Sequence, residues 1–168
     1  MRLFIEYDRA GAQGPTLRGR ANDVVRVLVQ NRMATDATTV HFHGVHQLGT
    51  PFFDGAFWLT QAGIPPGGQM AYQFRAWPPG THWYHAHASG QFGDGAHGVL
   101  VVEDPADPYA AHADAEDELL VADLYEQTVV EEYAKFSAFP QVEAGGAGGE
   151  AFYAALVNGR ASVWRGRG

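Results

Sequence analysis

Apolar and polar positions alternate along much of the first hundred residues, and the alternation predicts strands. In VVRVLVQ (24–30), Val25, Val27 and Val29 share one face at the two-residue period of a strand. Asn22-Asp23 and Asn31 punctuate its two ends. A second strand is predicted over Thr38 to Gly44. Residues 51–68, rich in glycine, proline and aromatics, read as a long ordered loop. Met70, Tyr72 and Phe74 then alternate with Gln73 and Arg75, the pattern of a half-buried strand. Pro78-Pro79-Gly80 turns the chain into a further strand, Thr81 to His87. GVLVV (98–102) is a continuous apolar run, short enough for a strand covered on both faces.

Beyond Glu103 the pattern breaks. DPADPYAAHADAEDE (104–118) is acidic, alanine-rich and proline-bearing, as an interdomain linker is. The expected organisation is one domain over 1–108, a linker over 109–117, and an incomplete second domain over 118–168. Within the last part a strand is expected over Leu119 to Ala122 and a short helix around Val129 to Phe136. The glycine-rich AGGAGG (144–149) reads as a flexible loop.

Composition narrows the class. The 168 residues include 21 glycines and nine prolines, which argue against a helical bundle and for an all-β fold. A net charge of −8 repels phosphate backbones and anionic lipid, so neither nucleic acid nor a membrane surface is expected as partner. No run approaches the roughly 20 apolar residues of a spanning helix. Met1 to Ala10 shows no basic segment followed by an apolar run, so no signal peptide is visible. With no cysteine present, disulfides, thiolate metal sites and cysteine nucleophiles are excluded. A blue copper site, which needs a thiolate, cannot form from this chain alone.

The eight histidines carry the candidate chemistry. Four fall in two dyads, His41-x-His43 and His85-x-His87. Residues i and i+2 of a strand project from the same face, so each dyad aims two imidazoles one way. If the two strands pair, four imidazoles converge on one patch that suits copper, zinc, iron or nickel. A lone strand histidine is ordinarily a hydrogen-bonded structural residue. Two dyads at strand spacing, with Phe42, Trp83 and Tyr84 beside them, point instead to a metal. The remaining histidines are left out of the ligand set: His46 as exposed or supporting, His82 as facing away from His85, His97 in a glycine-flanked turn, and His112 in the linker.

The surrounding residues resemble one family. HFHGVHQLGTPFFDG (41–55) is similar to the first copper-binding segment of laccase-like multicopper oxidases, and GTHWYHAHASGQFGDGAHGVLVVEDP (80–105) to the second. TQAGIPPGGQMAYQF (60–74) and GPTLRGRANDVVRVLVQNRM (14–33) resemble the stretches between and before them. The resemblance runs unbroken and in order from about residue 14 to residue 105. ELLVADLYEQ (118–127) and ALVNGR (155–160) resemble the opening of the family's second domain.

This resemblance implies a cupredoxin-like Greek-key β-sandwich in which His41 ligates a type 2 copper and His43, His85 and His87 ligate a type 3 pair. It implies that Asp54 assists proton delivery, whereas Asp94 is expected to be a turn residue. Trp83 and Phe42 are expected to wall the cluster. Ala62-Gly63 stands where many laccases have Cys-Pro, so an inter-domain disulfide of the family is absent.

The implied parent couples one-electron oxidation of a small phenolic or metal-ion substrate to four-electron reduction of dioxygen to water, and is secreted or periplasmic. This chain offers half of the cluster's histidines and no blue copper segment. It is expected to be inactive alone, needing a missing cupredoxin domain or another chain. The alternative is a stand-alone domain in which the four histidines hold one copper or zinc ion. A multi-histidine zinc hydrolase is disfavoured, because no carboxylate lies within the dyads to act as general base.

Overall fold

A computed structural model describes residues 13–125, 127–131, 134 and 154–161. The first six strands are β1 (Leu17–Arg20), β2 (Val24–Gln30), β3 (Val40–His43), β4 (Gln69–Arg75), β5 (Gly80–Ala86) and β6 (His97–Glu103). They form two layers. One is a four-stranded sheet in the order β1-β6-β5-β3, with β1 parallel to β6 and the other pairs antiparallel; the other is the antiparallel pair β2-β4.

The alternation read in the sequence is what closes the layers on each other. Val27 and Val29 of β2 and Tyr72 and Phe74 of β4 turn inward, as do Leu100 and Val102 of β6. Phe42 of β3 sits at the centre, with its ring 4.4 Å from Phe74, 5.5 Å from Tyr72 and 6.4 Å from Tyr84. Such aromatic contacts each contribute about 0.5–1.5 kcal/mol beyond the area they bury. The central strand β6 is covered on both faces along most of its length, as its unbroken apolar run required.

Phe42 corrects one expectation. It is fully buried in the sandwich core and does not wall the histidine patch. The reason is strand geometry: it lies between His41 and His43, so the pleat that turns both histidines out turns Phe42 in.

The loop over 51–68 is ordered by a 3-10 turn at Pro51–Phe53 and by bridges pairing Thr38 with Ile64 and Phe57 with Gln61. After β6 the acidic segment has only a 3-10 turn, Ala110–His112, as regular structure. Arg18 on β1 holds both of its ends, reaching Glu103 at 3.3 Å, Glu116 at 3.4 Å and also Glu118. A third sheet follows, with β7 (Val121–Leu124), β8 (Ala154–Val157) and β9 (Arg160–Ala161) in the order β7-β8-β9. Its β8-β9 hairpin turns on Asn158-Gly159, both at positive φ, the geometry that two-residue hairpin loops demand. The expected strand at 119–122 is displaced by two residues to β7.

Residues 129–131 and 134 are helical, and the rest of the expected helix lies outside the described residues, as does AGGAGG. The helix opens on a capping box: the Glu131 carboxylate accepts from the Thr128 N–H at 2.9 Å, and the Thr128 hydroxyl oxygen accepts from the Glu131 N–H at 3.3 Å. Among the described residues, no helix is long and apolar enough to cross a membrane.

Candidate metal centre

The β3-β5 ladder builds the site. Its antiparallel register sets His41 opposite His85 and His43 opposite Trp83. The two dyads therefore meet on the outer face of the four-stranded sheet. The His41 ring lies 5.3 Å from His43, 5.3 Å from His85 and 5.4 Å from His87. One nitrogen from each of His41, His43 and His85 lies within 4.8 Å of the others. His87 stands outside that trio, one residue past the end of β5, with its ring 5.9 Å from His85.

Hydrogen bonds fix which nitrogens face the patch. The Nδ1–H of His41 donates to the Asp54 backbone carbonyl at 2.6 Å, and the Nδ1–H of His85 donates to the Ala86 carbonyl at 2.9 Å. A carbonyl only accepts, so both rings carry their proton on Nδ1 and present a bare Nε2. His43 Nδ1 lies 3.3 Å from that Nε2 of His85. Two nitrogens bound at about 2.0–2.1 Å to one tetrahedral ion are roughly 3.3 Å apart. The donor set is all imidazole, with Nδ1 of His41 and of His85 tied back to a carbonyl, and it fits copper or zinc.

Burial differs across the cluster. His85 is nearly buried, and this burial, together with the neighbouring histidines, lowers its pKa to about 4 against a raising contribution from the Ala86 carbonyl. It is therefore uncharged at neutral pH. His43 and His87 are exposed, so the patch is open on one side. Trp83 is the wall residue that was expected, stacked 4.1 Å from the His85 ring and 5.2 Å from that of His43. Phe92 covers His85 from another direction at 5.8 Å.

Asp54 lies behind His41. Besides its carbonyl, its carboxylate Oδ1 is 3.3 Å from His41 Nδ1. Gly55 makes this approach possible. It has φ +84, and a Cβ there would fall 2.0 Å from the Val40 carbonyl oxygen, so only glycine lets the loop press against β3. On the other side, the buried Tyr72 hydroxyl accepts from the Val40 N–H at 3.0 Å and holds the strand just before His41.

Two glutamines escaped the sequence reading as site residues. Gln47 and Gln91 each lie four residues past the second histidine of a dyad, and both are buried. Gln47 donates to the Phe53 carbonyl at 3.1 Å and accepts from Thr50, bracing the loop that carries Asp54. Gln91 accepts from the Thr38 hydroxyl at 2.7 Å and donates to the Ala37 carbonyl at 2.9 Å. The signal was the shared spacing H-x-H-x-x-x-Q.

The histidines set aside stay outside the trio. His82 donates through Nε2 to the Pro78 carbonyl at 2.9 Å, and His97 through Nδ1 to the Phe92 carbonyl at 2.9 Å. His46 and His112 are exposed. Asp94 does more than turn the chain, since its carboxylate accepts from the Val129 N–H at 2.8 Å and ties the helix start to the loop after the second dyad.

Comparison with known proteins places these features. The family profile described as multicopper oxidase matches residues 10–107. The chain is 47% identical over 98 residues to Laccase-2 of Podospora anserina, covering 57% of this chain and 16% of that protein. It is 39% identical over 115 residues to the iron transport multicopper oxidase fetC of Epichloe festucae, covering 68% of this chain and 18% of that protein. It thus spans less than a fifth of either relative. Among solved structures it superposes on Fet3p, a multicopper oxidase that functions in iron import, with TM-score 0.76 at 28% identity, over 94% of this chain and 32% of that one. It superposes on the laccase of Botrytis aclada with TM-score 0.71 at 27% identity, over 94% and 30%.

Proposed function

Since this chain belongs to the multicopper oxidase family, we propose that it is the copper-binding N-terminal part of a laccase-like oxidase, supplying one half of an oxygen-reducing copper cluster. The observation that carries the proposal is the His41–His85 register across β3 and β5, which gathers both dyads on one face. The fold is the cupredoxin-like Greek-key β-sandwich of that family. Residues 118–168 are read as the opening of a second domain, with 109–117 as the linker.

The residues divide the work. His41, through the bare Nε2, serves a type 2 copper, and His43, His85 and His87 serve a type 3 pair. The 3.3 Å between His43 Nδ1 and His85 Nε2 supports a shared ion for these two. Copper, when bound, supplies redox centres that take electrons one at a time and pass them to dioxygen. Trp83 stacks on His85 and His43, and Phe92 packs against His85. Asp54 orients His41 and, with its carboxylate partly open to solvent, is positioned to hand a proton towards the cluster.

The parent takes electrons from a small phenolic or metal-ion substrate and is secreted or periplasmic. The remaining ligands and the blue copper come from a further domain or another chain. The 168-residue chain loaded with copper is expected to show no turnover of a phenolic substrate. Sustained oxygen uptake by the chain alone would overturn the need for a second contributor. Copper binding by the chain without oxidase competence in any assembly would favour the stand-alone metal-binding domain.

A further inference from the structure

His41, His43 and His85 lie within strands, where ladder hydrogen bonds set the backbone that carries them. His87 does not. It is the first residue beyond β5, and its exposed ring needs some other device to hold it beside His41 and His85.

That device is a short arch over residues 87–91, pinned at both ends to the three residues that lead into β3. At one end the His87 N–H donates to the Thr39 carbonyl at 3.2 Å. At the other, the buried Gln91 side chain accepts from the Thr38 hydroxyl and donates to the Ala37 carbonyl. Ser89, at φ +51, reverses the chain between them. Thr38 is itself fixed to Ile64 by a reciprocal pair of backbone hydrogen bonds at 3.1 and 2.7 Å, so the arch stands on an anchored base. A primary amide is the side chain that suits this place, because it offers an acceptor and a donor in one plane. A carboxylate of the same shape would set oxygen against the Ala37 oxygen.

We propose that Gln91 is a positioning residue for copper: it fixes the His87 arch on the start of β3 and so sets the distance between the off-strand ligand and the first dyad. This rests on the copper-binding reading above. It assigns the second glutamine of the H-x-H-x-x-x-Q spacing a task different from the first, since the Gln47 side chain bonds to Phe53 and Thr50 in the loop bearing Asp54.

The test is a double-mutant cycle on the full chain, reading copper(II) affinity by competition with a chelator and the copper environment by electron paramagnetic resonance. Gln91→Glu is expected to weaken copper binding by about tenfold, within the range typical of residues that orient metal ligands. Thr38→Val, which removes one hydroxyl and keeps the side-chain shape, is the milder variant and is expected to act in the same direction. Both effects are expected to vanish in a His87→Ala background, where no ring remains to be positioned. Equal losses in the presence and absence of His87, or affinity and spectrum unchanged in Gln91→Glu and Thr38→Val, would overturn the inference while copper binding by the wild type stands. A wild-type chain that binds no copper would overturn the parent reading and this one with it.

Discussion

His41 gives its Nδ1 proton to the backbone carbonyl of Asp54, not to a side chain, and the carboxylate of the same residue stands 3.3 Å from that nitrogen. One residue thus orients the ring with its main chain and adds charge with its side chain. The two contributions separate by mutation. Asp54→Ala keeps the carbonyl bond, so stability is expected to change by less than about 1 kcal/mol while copper affinity falls roughly tenfold. Chelator competition and thermal melting of the same samples check this, and a large loss of stability with unaltered affinity would contradict it.

Gly55→Ala attacks the other contribution. A Cβ 2.0 Å from the Val40 oxygen at φ +84 must push the loop off β3 and take the Asp54 carbonyl with it. A stability loss of at least about 2 kcal/mol is expected, together with loss of the type 2-like copper signal. Unfolding in urea and electron paramagnetic resonance provide the two readings. A stable variant with the wild-type signal would show that the glycine is not what brings Asp54 to His41.

The pH dependence of the metal-free chain follows from His85. Its pKa, lowered to about 4 chiefly by burial, lies below that of an exposed histidine near 6.5. As pH falls below about 6.5 the unfolded chain takes up a proton that the folded chain refuses until about pH 4. The stabilising contribution is therefore complete above about pH 6.5 and is lost progressively down to pH 4, by an amount on the order of 3 kcal/mol. Thermal melts over this range, compared with His85→Gln, measure it: the variant should show a shallower fall, and identical slopes would contradict the assignment.

Phe42 and Trp83, both expected at first beside the metal, should separate cleanly. Phe42→Ala empties the centre of the sandwich and is expected to cost about 3–5 kcal/mol. Trp83→Leu leaves that core intact and is expected to cost less, yet to change the copper spectrum, because the indole stacks on both His43 and His85. Equilibrium unfolding and the spectrum of the copper-loaded chain decide between them. The reverse pattern would contradict an inward Phe42 on β3 and a cluster-facing Trp83 on β5.

What was legible in the sequence follows the same division. The strands β2, β4 and β6 and the two dyads announce themselves through side-chain periodicity, and the pairing of β3 with β5 makes the dyads one patch. The inward turn of Phe42 was implied by the same period but hidden by its aromatic character. The hairpin at Asn158-Gly159 and the Thr128–Glu131 capping box were not read in the sequence and emerge only from the structure. The carbonyls of Asp54, Ala86 and Ala37 were not legible. Every residue has such a group, and only the course of the loops decides which one meets a histidine or a glutamine.

The central claim is that both dyads hold copper together, and metal content after reconstitution with excess copper, read with electron paramagnetic resonance, tests it most directly. The account predicts bound copper with no blue absorption, a type 2-like signal lost in His41→Ala, and a fall in copper content in His85→Ala, which breaks the ion shared with His43. A chain that retains no copper, or retains as much when either dyad is broken, would contradict it.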